Sequence, residues 1–127
     1  MKIRCDCGHI IRDQTDSIPY KCDLLPDDGY WDNIHEPFIK AVADYAQSVA
    51  SGNRDGWISR HFGDEYPRDL KDASMLSDLL AGLMSRAPTA YQCIECGNIL
   101  IPKPDGSGYL GFQPLDDDWG NAFSWRK

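Results

Sequence analysis

Hydrophobic positions follow three regimes along the chain. Over residues 1–29, short apolar stretches alternate with polar residues and turn formers. Ile3, Cys5 and the pair Ile10 and Ile11 flank a tight Cys-Gly turn. Ile18 to Leu24 suits a further strand before the turn Pro26-Asp27-Asp28-Gly29. From residue 30 to 88 the apolar spacing changes to three and four. Trp31, Ile34, Phe38, Val42, Tyr45 and Val49 then line one face of a helix, which Gly52 is placed to stop. Leu70, Ala73, Leu76, Leu79, Leu80, Leu83 and Met84 repeat the pattern, and Pro88 closes it. Arg54 to Tyr66 reads as a loop with one short helix around Trp57 to His61.

Strand character returns over residues 89–127. Tyr91 and Gln92 lead into a second cysteine turn, and Ile99-Leu100-Ile101 follows it. Asp105-Gly106-Ser107-Gly108 supplies a hairpin connection to a returning strand, Tyr109 to Phe112. The tail from Asp116, with Trp119, Phe123 and Trp125, either packs back or lies exposed. The pattern predicts an α+β fold in a single domain, residues 1–127, with a β part built from 1–29 and 89–127 and a helical insertion over 30–88. A length of 127 residues sits near the commonest domain size.

The chemistry concentrates in two similar stretches. Cys5-Asp6-Cys7-Gly8-His9-Ile10-Ile11 and Cys93-Ile94-Glu95-Cys96-Gly97-Asn98-Ile99-Leu100 each run from Cys-Gly through one polar residue to two aliphatics. Two cysteines on one tight turn supply two corners of a tetrahedron around a zinc ion, and a facing turn supplies the other two. The glycine lets the backbone turn with positive φ, and amides in such a turn point at the sulfurs. The expected ligands are Cys5, Cys7, Cys93 and Cys96 around one structural Zn2+ ion; an alternative set replaces one cysteine by His9, and a third reading leaves the thiols free or oxidised. With these residues the chain resembles a zinc ribbon, in which two cysteine knuckles sit on facing β-hairpins. The resemblance covers residues 1–24 and 90–113, and Cys5-Asp6-Cys7 is one residue shorter than that family's usual knuckle. It implies discontinuous zinc-ribbon β-hairpins drawn from both termini. Four protein ligands leave no coordination site for water or substrate, which implies a structural ion.

Charge narrows the possible partners. Twenty acidic residues against 13 basic ones give a formal net charge of −7, a field that repels phosphate backbones and attracts basic surfaces. Nucleic acid is therefore the less favoured partner; the basic residues are scattered, with Lys2, Arg4, Arg12 and Lys21 as the one candidate cluster. No apolar run is long enough to span a bilayer, and Met1-Lys2-Ile3-Arg4-Cys5 has no export-signal character. A cytoplasmic location is expected, where spaced cysteines favour metal over disulfides.

No phosphate loop, dinucleotide fingerprint or nucleophile elbow is present, so the expectation is not an enzyme. Cys22 reads as a strand residue, His35 as a satisfied structural histidine beside the helical stripe, and His61 as the better functional histidine. In size, acidity and lack of catalytic motifs the chain resembles bacterial immunity proteins, the antitoxin-type inhibitors that neutralise toxins delivered between cells. That resemblance implies a basic toxin domain as protein partner. The candidate contact face is Asp27, Asp28, Tyr30, Trp31, Asp116, Asp117, Asp118 and Trp119. A metal-handling role, in which oxidised thiolates release zinc, is a third possibility.

Overall fold

A computed structural model describes residues 1–14 and 16–126. The fold is α+β: two antiparallel sheets are built from the two ends of the chain, and a helical segment is inserted between them. The chain divides into two compact units, one formed by Met1–Leu24 with Ala87–Lys127 and the other by Leu25–Arg86. Each has its own core.

In the first unit, β1 (Lys2–Arg4) and β2 (Ile10–Arg12) form a hairpin with Ile3 opposite Ile11. The strands are short and strictly alternating, so Ile3 and Ile11 are buried while Lys2, Arg4, Ile10 and Arg12 face out. A four-stranded antiparallel sheet follows, in the order β3 (Lys21–Asp23), β4 (Thr89–Gln92), β5 (Ile99–Pro102), β6 (Tyr109–Phe112). The expected strands are all present. The β3–β4 pairing, with Cys22 opposite Ala90, joins the beginning of the chain to its end. Ile3, Ile11, Tyr91 and Leu100 pack around Cys5 and Cys93.

The fully buried Tyr91 donates its hydroxyl proton to Asp13, which also receives Lys21 Nζ at 3.0 Å. The Tyr91 and Lys21 hydrogen bonds hold the Asp13 carboxyl below its ordinary range, and burial with the neighbouring carboxylate raises the Tyr91 hydroxyl. Nothing in the local spacing marks this group, because its members come from 78 residues apart.

The second unit departs from expectation at its start. Pro26 to Gly29 is not a turn of the β part; Asp27–Tyr30 forms α1, which runs through a π-helical turn, Trp31–His35, into α2 (Glu36–Ala50). Pro26, in extended conformation, sets up the first turn, its carbonyl accepts from the Tyr30 amide at 2.7 Å, and Asp27 and Asp28 lie at the favourable end of the helix dipole. The insertion thus begins at residue 25 and not 30. The π turn holds more residues than an α turn, so it rotates Trp31 out of line with the stripe. The buried positions are Ile34, Ala41, Tyr45 and Ser48, whereas Trp31 and Val49 are about half exposed.

The expected loop is mostly helix: α3 spans Arg54–Phe62. Asn53 caps it, its side chain accepting from the Gly56 amide at 3.2 Å, and a Cβ on residue 56 would stand 2.6 Å from Asn53 Nδ2. Gly56, which looks like a helix breaker in sequence, makes room for the cap. The last helix, α4 (Asp72–Met84), buries Met75 completely, a residue outside the expected stripe. Trp57, Ile58, Ala41, Tyr45 and Met75 form the core. Trp57 donates its indole proton to the Ala41 carbonyl at 3.0 Å, and Arg54 pins the α3–α4 connection through the carbonyls of Arg68 and Leu70, both at 2.7 Å.

One histidine also differs from expectation. His35 packs its ring 4.6 Å from that of Trp31, but Nδ1 is buried without a hydrogen-bond partner among the described residues, so it is not a satisfied histidine. His61 lies 3.3 Å from Asp44 Oδ2 and rests on the Trp57 ring at 4.5 Å.

A pH test follows from the Asp13 group. The folded chain holds this carboxyl below the unfolded value of about 3.9, so its stabilisation is present above that pH and is lost as pH falls through the folded value. Tyr91→Phe removes the first cause, and carboxyl carbon NMR should show Asp13 titrating closer to the ordinary aspartate value.

Candidate metal centre

Four sulfurs 2.3 Å from a common zinc ion would stand about 3.8 Å apart at tetrahedral corners. Cys5 Sγ lies 3.6 Å from Cys96 Sγ, and Cys7 Sγ 3.6 Å from Cys93 Sγ. All four sulfurs fall within 4.8 Å of one another. Such spacings are far beyond a disulfide bond of about 2.05 Å, and all four cysteines are free thiols. The donor set is the soft thiolate type that favours zinc over hard cations. The four cysteines are therefore compatible with a zinc site.

Local backbone geometry explains why the shorter first turn still delivers two ligands. In the second turn Cys93 N donates to Asn98 O at 2.8 Å and Gly97 N to Cys93 O at 2.8 Å. In the first, Cys5 N donates to His9 O and Gly8 N to Cys5 O, both at 2.9 Å. Each closing bond spans one residue fewer, so the same frame is kept with a residue removed from inside it. Gly8 and Gly97 both have positive φ, +97° and +79°.

Amides aim at the sulfurs as expected. The amide of Cys7 donates to the Cys5 sulfur, that of His9 to Cys7 and that of Asn98 to Cys96. His9 acts through its backbone and does not belong to the cysteine group. Without an ion, burial raises the Cys5 thiol and pushes Cys96 up to about 12, whereas the His9 amide lowers Cys7. A cation bound among the four sulfurs would hold all of them as thiolates. Cys5 and Cys93 are buried, Cys96 is half-buried and Cys7 is exposed, so the cluster opens to solvent on one side.

The sequence gives little hint of what covers that cluster. A side-chain carbon on Gly97 would run into the indole of Trp119, so the ring of a tail residue lies directly over the second cysteine turn. Gln92, 2% exposed, fixes this arrangement. Its Nε2 donates to Gly97 O at 3.3 Å and Gly120 O at 3.1 Å, and its Oε1 accepts from the Ala122 amide at 2.9 Å. Asn121 Nδ2 adds a bond to Pro19 O at 2.9 Å. The tail packs back at these points while Trp125 stays exposed. A polar residue ending a strand just before a cysteine turn is the only sequence signal that would have drawn attention to Gln92.

The proposed contact residues fall in two groups. Asp27, Asp28, Tyr30 and Trp31 lie on α1 and the π turn of the helical unit, where the Tyr30 and Trp31 rings meet edge to face at 5.3 Å. Asp116, Asp117, Asp118 and Trp119 lie on the tail of the cysteine unit. There Asp116, Asp117 and Trp119 border the same hollow as Cys7 and Cys96. Cys22 sits on β3 apart from the cluster, its thiol raised by burial.

Gly97→Ala should disturb the cover as well as the turn. A left-handed alanine costs about 1–2 kcal/mol, and the indole must also move. Gly8→Ala meets nothing within 4 Å and bears only the backbone cost. Denaturant melts should show the larger loss for Gly97→Ala, and only that variant should shift the Trp119 indole NMR signal.

No curated protein and no solved structure matches the chain. A family model described as a domain of unknown function (DUF8617) matches residues 1–123, nearly the whole chain, and the protein belongs to that family.

Proposed function

We propose that the chain is a zinc-stabilised protein-binding module, of the zinc-ribbon type in its cysteine unit, that blocks a basic partner such as a bacterial toxin domain. The observation that carries the first half is the convergence of four cysteine sulfurs within 4.8 Å. With every tetrahedral corner taken by protein, one Zn2+ ion bound there would supply cohesion and no open coordination site for chemistry. Cys5 and Cys7 would hold it from the β1–β2 turn, Cys93 and Cys96 from the β4–β5 turn.

The partner half is supported by charge. Net charge of −7 favours a basic surface, and aromatic residues beside the acids, Trp31 and Trp119, are the side chains that anchor protein interfaces. An antitoxin-type inhibitor in the cytoplasm needs no catalytic group of its own. Nucleic-acid binding is the second reading, favoured by one observation: Lys2, Arg4 and Arg12 share the exposed face of the β1–β2 hairpin. Lys21, the fourth cation near them, is engaged by Asp13.

Separate measurements test these halves. Metal analysis of purified protein should give about one zinc per chain. Cys93→Ser or Cys96→Ser should lose the ion and unfold residues 1–24 and 87–127, while Cys22→Ser should keep both; metal-free, fully folded protein would sink the clamp. For the partner, affinity capture with the zinc-loaded chain should retain a basic protein whose activity the chain inhibits. In gel shifts at low salt it should bind no nucleic acid. Retention that weakens steeply with salt would transfer the proposal to the basic hairpin.

A further inference from the structure

A hollow of about 490 Å³ opens beside the cysteine cluster, entirely within the cysteine unit. Three aspartates, Asp6, Asp116 and Asp117, line it together with Cys7, Cys96 and Trp119. Among the described residues, no lysine, arginine or histidine lines it. Among the described residues the acid–base pairs lie elsewhere: Asp13 with Lys21, Glu36 with Lys40, Asp44 with Arg60 and His61, Asp64 with Arg68 and Asp72 with Arg54. Among the described residues, none of the three carboxylates in the hollow meets a cation. Four thiolates around one divalent ion would add further negative charge to the floor. Leu115 projects fully exposed at the rim, next to Pro114.

We infer that this hollow is where a protein partner inserts a lysine or arginine side chain, with an apolar neighbour of that residue resting on Leu115 and Pro114. Three features select this occupant. Aspartates on two separate segments, residue 6 and residues 116–117, line one concavity, and carboxylates favour a cationic head. The indole gives the cation's stem a flat aromatic wall. An anion or a nucleic-acid phosphate would meet only like charge. The tail is held at residues 120–122, next to Trp119, by Gln92 and Asn121, which leaves less ordering to oppose binding at that wall. The inference rests on the protein-binding reading above and adds the site and the chemistry of the inserted group.

The test uses the full zinc-loaded chain, labelled with ¹⁵N, and two blocked peptides, acetyl-Leu-Arg-Leu-Arg-amide and acetyl-Leu-Glu-Leu-Glu-amide. Saturable NMR shifts from the arginine peptide should concentrate on Asp6, Asn98 and residues 113–119, and the glutamate peptide should give none. Asp116→Asn combined with Asp117→Asn should weaken the arginine peptide about tenfold or more, since hydrogen bonds to charged groups contribute about 1.5–3 kcal/mol each. These changes retain the Asp116 Oδ1 that accepts the Asp118 amide, and zinc content confirms an intact centre. Glu65→Gln combined with Asp69→Asn, two exposed acids of the helical unit, should leave binding unchanged. Absent shifts, shifts spread over every acidic surface, or equal weakening by both pairs would overturn the inference. A captured partner whose footprint lies away from residues 6 and 113–119 would overturn it while sparing the protein-binding reading. A footprint in the hollow with no protein captured supports the hollow and removes that reading.

Discussion

Bringing Cys7 beside Cys93 closes a loop across 86 residues, and Cys5 beside Cys96 one across 91. Closing a flexible chain of that length costs about 4 kcal/mol in entropy before any contact is rewarded. The cysteine unit depends on offsetting that cost, because its two segments have no other covalent link. Three contacts across the join act together: the sulfur cluster, the β3–β4 ladder and the hydrogen bond from Tyr91 to Asp13. A metal ion would couple the first to the other two. The helical unit closes its own core from neighbouring helices, with most of its partners close in sequence.

How far each half was legible in sequence follows from this difference. The cysteine turns could be read because their information is local: two sulfurs, one glycine and two aliphatics within a few residues. Their meeting could be read because the motif occurs twice. What could not be read was anything that needed a partner from far away, such as Tyr91 on Asp13 or the tail crossing over Gly97. The helices were legible as helices, but the faces they bury were only partly so. A single π turn shifts the phase of everything before it, and Met75 joins the core of Trp57 and Tyr45 from outside the apolar stripe, which hydrophobicity alone does not reveal. Gly56 misled in the other direction, since the residue that looked like a breaker accommodates a cap.

The charge distribution deepens the contrast between the units. Arg54, Arg60 and Arg68 are drawn into pairs that fasten the helices and their connection. The cysteine unit spends Lys21 on Asp13 and turns Lys2, Arg4 and Arg12 outward on the first hairpin. Its tail carries acids without such pairs among the described residues. One unit thus presents a basic hairpin face and an acidic hollow, so that net charge alone describes neither.

The division of the chain into an outer pair of segments around an inserted helical body also sets an order of events during synthesis. The first cysteine turn leaves the ribosome with two sulfurs and waits for Cys93 and Cys96. At roughly 5–20 residues per second, the 86 residues between Cys7 and Cys93 take about 4–17 s to make. Within that interval the whole of Leu25–Arg86, which carries its own core, has been translated. An ion held by the four sulfurs could therefore be enclosed only after the helical segment had been translated, and the amino-terminal hairpin must pass those seconds as an unfinished half-site.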